Sequence, residues 1–501
     1  MINKLIDNKF LISSIKKKII LCHGVFDVFH IGHLNHFKYL KDKFINHILI
    51  VSITADKYVR KGVGRPLYNE KVRARLLSSI DIVDYVYICE DFTAIKSIKF
   101  FKPDIYAKGL EYSNFSNDIT KNIKLEKNET TKHGGKIYFT DGETSSSSLL
   151  INNFLKPLSI ELKNNLKELK KKFPIKKIIE ITRKVKKTKI LVIGEIIIDS
   201  YTQVFPRGKT MKENMVNHLL GVKKNYAGGV VPTANLLSNV SDNVTLLSLV
   251  SNNKSENISI EAKLNKKIKK KFFSNKSYIT IEKNRFIEKN YGMKKLFQIS
   301  KINESFQSLN TEKKIIKFLN KNLKKFDLVV VSDFGHGLIT KKIIDLLEKK
   351  ARYLCVNCQS NSLNFGYNLI TKYNKANFVC IDENEARLAV NEKTLDLKLV
   401  HKKILKKNIK NLIITLGSRG AFYIRGNKYE IFPVVDDKVI DTIGAGDAFF
   451  STSSIFSKYV SDNSFLSFVG NIAGSMKIRI EGHDKYINID DILKTIETYY
   501  K

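Results

Sequence analysis

Short apolar runs separated by amphipathic stretches set the rhythm of this chain. Residues 19–21 are apolar, the turn Gly24-Val25-Phe26-Asp27 follows, and an amphipathic stretch covers 34–40, which predicts strand, turn and helix. Apolar runs at 48–53, 85–89, 105–107 and 137–139 alternate with helical patterns such as 70–80 and 93–100. Strands that alternate with helices imply a parallel sheet covered on both faces. After residue 150 the pattern turns helical and lysine-laden and reads as a linking segment. A new apolar strand at 190–194 restarts the alternation, which continues at 328–332, 353–356, 378–381 and 412–415. The expected organisation is an α/β domain over 1–155, a lysine-rich helical linker over 156–187 and a second α/β domain over 188–501. No short tandem repeat of the solenoid kind is visible.

Length agrees with this division, because 501 residues exceed what one core holds, about 250–300. A hydrophobic fraction of 43% with 30 Phe and 21 Tyr supplies two cores, and 7 Pro with 25 Gly are too few for a disordered or fibrous chain. The net charge of +38 is mostly lysine spread along the whole sequence. Without a basic motif interleaved with aromatics it reads as a solvated surface that attracts small anions, not as a specific nucleic-acid groove. The five cysteines, Cys22, Cys89, Cys355, Cys358 and Cys380, lack the dense spacing of a disulfide scaffold and fit a reducing compartment. The Cys355-x-x-Cys358 pair has no second pair to complete a zinc site and is expected to be structural. Residues 1–20 mix charges into their apolar positions and no uncharged run reaches about 18 residues, so a cytoplasmic protein without a membrane span is expected.

Two stretches carry chemistry. The first, Gly24 to His33, contains His30-Ile31-Gly32-His33 at the start of the first amphipathic helix. Two imidazoles one helical turn apart, together with the free N–H groups and positive dipole end of a helix, suit the charge that builds on a phosphate during nucleotidyl transfer. The second is Asp441-Thr442-Ile443-Gly444-Ala445-Gly446-Asp447. Small residues at a helix start expose N–H groups as an anion hole at Gly444, Ala445 and Gly446, and Asp447 beside it can take the proton of an attacking hydroxyl.

Over 19–152 the sequence resembles the cytidylyltransferase-like nucleotidyltransferases of the HIGH superfamily. The resemblance rests on the His30–His33 stretch, on 61–66 with Glu70 and Arg73, on Pro103-Asp104 with Lys108-Gly109, and on 144–148. It implies catalytic roles for His30 and His33, and nucleotide or phosphate contacts at Gly24, Phe26, Asp27, Lys61, Arg73, Ser146, Ser147 and Ser148. Residues 188–501 resemble the ribokinase-like sugar kinases. There the resemblance implies Asp447 as base, nucleotide contacts at Thr415, Gly417 and Gly420, sugar contacts at Asp199, Gly228, Gly229 and Asn235, and an indirect magnesium role for Asp382 and Glu385. Departures occur at the sugar end: Glu195 stands where the family usually has Asp, and 248–253 replace a glycine-rich stretch. The turn Phe334-Gly335-His336-Gly337 resembles the heptose-kinase branch.

The implied fold is α/β throughout, with a doubly wound, Rossmann-like nucleotidyltransferase domain followed by a ribokinase-like α/β domain. The fusion resembles the bifunctional heptose kinase/adenylyltransferases of lipopolysaccharide-precursor synthesis, with the two domains in the opposite order. The resemblance implies phosphorylation of a sugar and nucleotidyl transfer to a sugar phosphate, with Mg²⁺ and ATP, or CTP for the transferase. The expected partners are sugars, sugar phosphates and nucleoside triphosphates, and a homo-oligomer is compatible with it. The alternatives are a single active transferase with a regulatory kinase-like domain, or a basic nucleic-acid-binding protein.

Overall fold

A computed structural model of the chain describes residues 4–7, 15–113, 122–140, 147–152, 158–288, 294–303, 309–405, 408–436, 438–481 and 487–500. The chain divides into two compact units, 1–170 with 490–501 and 171–489.

The first unit contains β1 (Leu5–Ile6), β2 (Lys18–Gly24), α1 (Ile31–Lys43), β3 (His47–Thr54), α2 (Glu70–Ser78), β4 (Tyr85–Cys89), α3 (Ile95–Phe101), β5 (Ile105–Gly109), α4 (Asn122–Lys132), β6 (Lys136–Thr140), α5 (Ser147–Leu150) and α6 (Ile160–Lys172). Its six strands are parallel in the order β1-β4-β3-β2-β5-β6. The chain winds outward from β2 through β3 to β4, then crosses back to β5 on the other side of β2. That reversal leaves a crevice at the carboxyl ends of β2 and β5, the usual ligand position in an open α/β sheet. Cores form on both faces, one around Phe37, Leu40, Val51 and Leu77 and one around Leu21, Tyr87, Phe101 and Tyr106.

The second unit begins with α7 (Ile175–Lys187), β7 (Lys189–Gly194), β8 (Ile196–Lys209), β9 (Val216–Gly229), α8 (Val230–Val240), β10 (Asn243–Val250), α9 (Lys254–Ala262), β11 (Lys269–Ser274), β12 (Ile281–Glu288) and β13 (Lys294–Lys301). It continues with α10 (Leu309–Asn322), β14 (Leu328–Asp333), α11 (Lys341–Lys350), β15 (Leu354–Cys358), β16 (Lys375–Asp382), α12 (Glu383–Ala389), α13 (Leu397–Leu405) and β17 (Asn408–Thr415). It closes with β18 (Ala421–Arg425), β19 (Lys428–Phe432), α14 (Ala445–Ser457) and α15 (Asn463–Lys477), and α16 (Ile489–Tyr500) follows. A nine-stranded sheet runs β11-β10-β7-β14-β15-β16-β17-β18-β19, parallel except for β18 and β19. Its central strands are apolar and buried along their length, as in β14, because helices cover both faces. A separate four-stranded sheet, β13-β12-β8-β9, branches off where the chain passes from β7 through Glu195 into β8.

The expected domain limits need correction. The lysine-rich stretch is not a linker: α6 buries Leu162, Leu166 and Leu169, and α7 buries Ile178, Ile181, Thr182 and Val185, each at helical spacing with the lysines on the other face. α6 up to Lys170 belongs to the first unit and α7 to the second, and the stretch from Asp490 returns to the first. Among the described residues no helix is long and apolar enough to cross a membrane. All five cysteines are buried and unpaired with one another, and burial lifts the Cys355 thiol to about 12, as inert structural thiols require.

Candidate active sites

In the first unit the site grows from the end of β2. A Cβ on Gly24 would meet the Phe26 ring at 3.0 Å, so the glycine admits that ring. Phe26 holds a left-handed backbone, φ 49°, an uncommon and strained state for a bulky residue, and its ring meets the edge of His33 at 5.0 Å. His30 caps α1 with extended backbone, and the rings of His30 and His33 stack at 3.8 Å. The His30 amide donates to His33 Nδ1 at 3.4 Å, which leaves the proton of a neutral His33 on Nε2. Both ring nitrogens of His30 are buried without a partner. Burial, then the neighbouring His30, His36 and Lys61, pushes His33 down to about 3, and burial also lowers His30. Burial thus favours the neutral form of both rings.

The loop over 60–68 has a different division of labour from the expected one. The Asp27 carboxylate accepts from the amides of Leu67 at 2.6 Å and Tyr68 at 3.2 Å and from Arg65 Nη1 at 3.2 Å. Arg73 is buried, and its guanidinium donates to the carbonyls of Tyr68 at 2.9 Å, Val25 at 2.6 Å and Thr54 at 2.9 Å and to Asp56 at 2.5 Å. Both residues were expected to touch phosphate; in the structure they are spent on tying the loop to β2 and β3. Lys61 is half-buried on the same loop, close enough to His33 to affect its protonation. Ser147 opens α5 and donates to the Val28 carbonyl at 3.0 Å, beside the histidine turn, while Ser148 is buried; Ser146 lies outside the described residues.

Three further polar residues sit here to which the sequence assigns no role, and of these only Lys108 lies in a segment that carries the resemblance. His36, one turn after His33, contacts Thr140 Oγ1 at 2.6 Å and Cys22 Sγ at 3.4 Å. His23 contacts Ser52 Oγ at 3.0 Å and Thr54 Oγ1 at 3.3 Å, and Lys108 donates to the His23 carbonyl at 3.3 Å. The three-residue spacing of His33 and His36 was a readable signal for the first of these. His23 and Lys108 meet only because β2 pairs with β5.

In the second unit α14 starts at a left-handed Gly444, φ 80°, and no Cβ-sized obstacle stands at Gly446. The Ala445 amide bonds Thr442 O at 3.3 Å, and the amides of Gly446 and Asp447 have no backbone acceptor among the described residues. Asp447 stands in that first turn, and its Oδ1 accepts from Gln359 Nε2 at 2.7 Å. Burial raises its carboxyl to about 6, with Asp199 adding repulsion while Gln359, Lys477 and Lys283 pull it down. Asp199, buried on β8, accepts from Arg285 Nη1 at 2.5 Å, and Lys283 is its register partner on β12. Gly228 is small for a reason, because a Cβ there would lie 2.0 Å from Asp199 Oδ2. Asp441 accepts from the Tyr201 hydroxyl at 2.8 Å, from Lys295 at 2.9 Å and from the Ile443 amide at 3.2 Å. Burial alone would raise Asp441, but those donors hold it below its ordinary value. Asp447, Asp199 and the cations Lys283 and Lys477 thus lie within electrostatic reach of one another at this helix start.

Residues 187–454, more than half of the chain, match the model of the pfkB family carbohydrate kinase. The chain belongs to the pfkB family. Residues 21–153 match the Cytidylyltransferase-like model. Curated relatives include the Bifunctional protein HldE of Helicobacter pylori (strain Shi470), 44% identical over 101 residues, which cover 20% of this chain and 21% of that protein. The Bifunctional protein HldE of Aliarcobacter butzleri (strain RM4018) is 34% identical over 139 residues, 26% of each. The chain therefore spans only about a fifth to a quarter of the length of such relatives. Phosphofructokinase-2 from Escherichia coli in complex with substrates and products is 14% identical at a TM-score of 0.49, over 62% of this chain and 98% of that one. In the present chain the cytidylyltransferase-like stretch comes first. The aligned fractions cover a fifth to a quarter of each relative and do not give its domain order, so the expected reversal is not carried forward.

Several residues expected to work in the pfkB unit are instead spent on its framework. Asn235 is buried in α8, where Nδ2 donates to Lys263 O at 3.0 Å and Oδ1 accepts from the Asn265 amide at 2.8 Å, so it braces the 263–265 turn and not a sugar. Gly229, φ 62°, permits close approach, since a Cβ would lie 2.3 Å from Glu195 O. Glu195 faces inward and accepts from the amides of Phe334 at 3.2 Å, His336 at 3.1 Å and Leu338 at 3.3 Å. Burial and the nearby Asp333 lift it to about 7. Its extra methylene relative to Asp serves the 334–338 turn. Thr415 ends β17, Gly417 is exposed at φ 59°, and Gly420 is required sterically, with Phe432 O 2.0 Å from any Cβ.

Asp382 and Glu385 form a reciprocal cap on α12: the Glu385 amide donates to Asp382 Oδ1 at 2.7 Å and the Asp382 amide to Glu385 Oε2 at 2.9 Å. The Ser360 amide also donates to Glu385 Oε1, at 3.1 Å, and burial, then Asp382, lifts Glu385 to about 8. Among the described residues no group of three or more His, Cys, Asp or Glu is arranged to hold a metal ion.

Proposed function

We propose that the protein is a bifunctional enzyme of nucleotide-sugar biosynthesis. Its pfkB unit phosphorylates a heptose-like sugar with ATP, and its cytidylyltransferase-like unit transfers a nucleotidyl group from CTP or ATP to a sugar phosphate and releases pyrophosphate. One observation carries the reading: in each unit a helix begins with amides that have no backbone acceptor among the described residues, Ile31 and Gly32 in α1 and Gly446 and Asp447 in α14, and a reactive side chain stands there.

In the kinase, Asp199 and Arg285 orient the acceptor, Asp447 takes the hydroxyl proton, and the oxygen attacks the γ-phosphorus while the amides of Gly446 and Asp447 receive the shifting charge. A base poised near 6 is ionised at neutral pH yet can still accept a proton. Mg²⁺ carried by the nucleotide supplies charge neutralisation along the phosphates. In the transferase, the N–H groups of His30 and His33 stabilise the charge growing on the α-phosphate, and Lys61 holds the nucleotide's remaining phosphates. The heptose-like acceptor rests on the Phe334-Gly335-His336-Gly337 turn, and small anionic substrates and a cytoplasmic setting accord with the lysine surface. Screening the purified protein against sugars and polyols with each nucleoside triphosphate, with products read by mass, should give a sugar phosphate and a nucleotide sugar. If no acceptor gains phosphate, the kinase assignment fails.

A further inference from the structure

Helix α16 follows the kinase unit in the chain, yet from Asp490 onward it packs within the first unit. Its attachment there is dense. Ile492, Leu493, Thr495, Ile496 and Thr498 are buried. Its last turn is capped by two side chains of the first unit, Asn152 Nδ2 donating to Thr498 O at 2.9 Å and Lys170 Nζ to Tyr500 O at 2.5 Å. Its other contacts fall on the loop that carries Lys61. Asp491 pairs with Arg60 at 3.0 Å, and the Arg60 guanidinium carbon lies 3.8 Å from the centre of the Phe92 ring. Two residues on, Gly62 turns at φ 104°, and a Cβ there would lie 3.6 Å from Thr495 Cγ2 and 3.7 Å from Thr498 Cγ2. Asp27 and its amide partners hold the far end of the same loop. The loop is therefore fixed at two points, one beside the histidines and one on α16.

We propose that α16 is a positioning element of the transferase site: the Asp491–Arg60 pair and the threonine seat under Gly62 set where the 60–65 loop presents Lys61 to the nucleotide. This rests on the transferase reading given above. Lys61 also lies within the electrostatic reach of Lys494 and Glu497, which brings the loop cation and the half-buried charged flank of α16 into one neighbourhood. The consequence is that the transferase is completed by residues that come after the kinase in the sequence.

Full-length Asp491→Arg, Arg60→Asp and the double swap should be assayed for pyrophosphate release and, in the same preparations, for sugar phosphorylation. A misplaced phosphate-holding loop costs roughly ten- to a hundredfold in kcat/KM, expressed mainly as a higher KM for the nucleoside triphosphate. Sugar phosphorylation should stay unchanged and the double swap should recover most of the loss. Should Asp491→Arg fail to fold, as loss of both reactions would reveal, Asp491→Asn provides the milder test, with a smaller rise in KM expected. No pyrophosphate from the unaltered protein would sink the transferase reading itself. Normal transferase kinetics in the single variants, or an equal loss in singles and double swap, would overturn the role of α16 and leave that reading standing.

Discussion

At the scale of single residues, the proposed function places the chemistry on Asp447 and His33, and their ionisation then sets the pH response. Asp447 acts as base only when ionised and is raised to about 6, so kcat/KM for sugar phosphorylation should fall as pH drops through about 6 and level off above it. Asp447→Asn should lower kcat by about 10²–10⁴ with little change in thermal stability, measured by coupled ADP release and melting. His33 behaves oppositely: held near 3, it is neutral at every working pH. The transferase kcat/KM should show no acid limb between pH 5 and 8 from this imidazole, and His33→Ala should cost about 10²–10³ in kcat. A transferase profile bending near 6.5 would contradict the neutral-donor role. Their placement at helix starts was readable because each motif is contiguous: Gly444 to Asp447 and His30 to His33 are neighbours along one helical turn. The partners of Arg73 and Asn235 were not legible, because which backbone groups a buried side chain meets depends on tertiary placement that local spacing does not carry.

At the scale of elements, the 60–68 loop and the 334–338 turn show how buried charge holds backbone in place. Arg73 bonds three carbonyls and Asp56. Arg73→Met should therefore destabilise the first unit by about 3–5 kcal/mol, the cost of stranding buried partners, seen as an early transition in denaturant. An unchanged melt with only a raised KM for nucleotide would instead return Arg73 to the phosphate-binding role expected from the sequence. The central parallel strands were legible from apolar runs, so the α/β class followed, whereas the four-stranded sheet β13-β12-β8-β9 was not, because strands such as β9 and β13 carry exposed charged and polar residues instead of a continuous apolar run. The allegiance of the lysine-rich helices was not legible either, because amphipathic spacing tells that a helix has a core side without telling which core it joins. α16 is the clearest instance: its apolar pattern matches a closing helix of the second unit, and its burial lies with the first.

At the scale of the whole molecule, the chain combines a pfkB carbohydrate kinase with a cytidylyltransferase-like domain. Consecutive chemistry in one chain makes sense when the phosphate installed by one unit marks the acceptor of the other. The charge of +38 should raise encounter rates with such anionic substrates, an effect that weakens as added salt screens the surface. The two activities should nevertheless be separable by mutation, because each rests on its own helix start. The measurement that tests this most directly follows both products by mass from one reaction, using Asp447→Asn and His33→Ala side by side. Asp447→Asn should lose sugar phosphorylation and still convert a supplied sugar phosphate to the nucleotide sugar, while His33→Ala should accumulate the sugar phosphate. If Asp447→Asn phosphorylates the sugar at the unaltered rate, or His33→Ala forms nucleotide sugar undiminished, the assignment of two phosphoryl-handling sites is wrong.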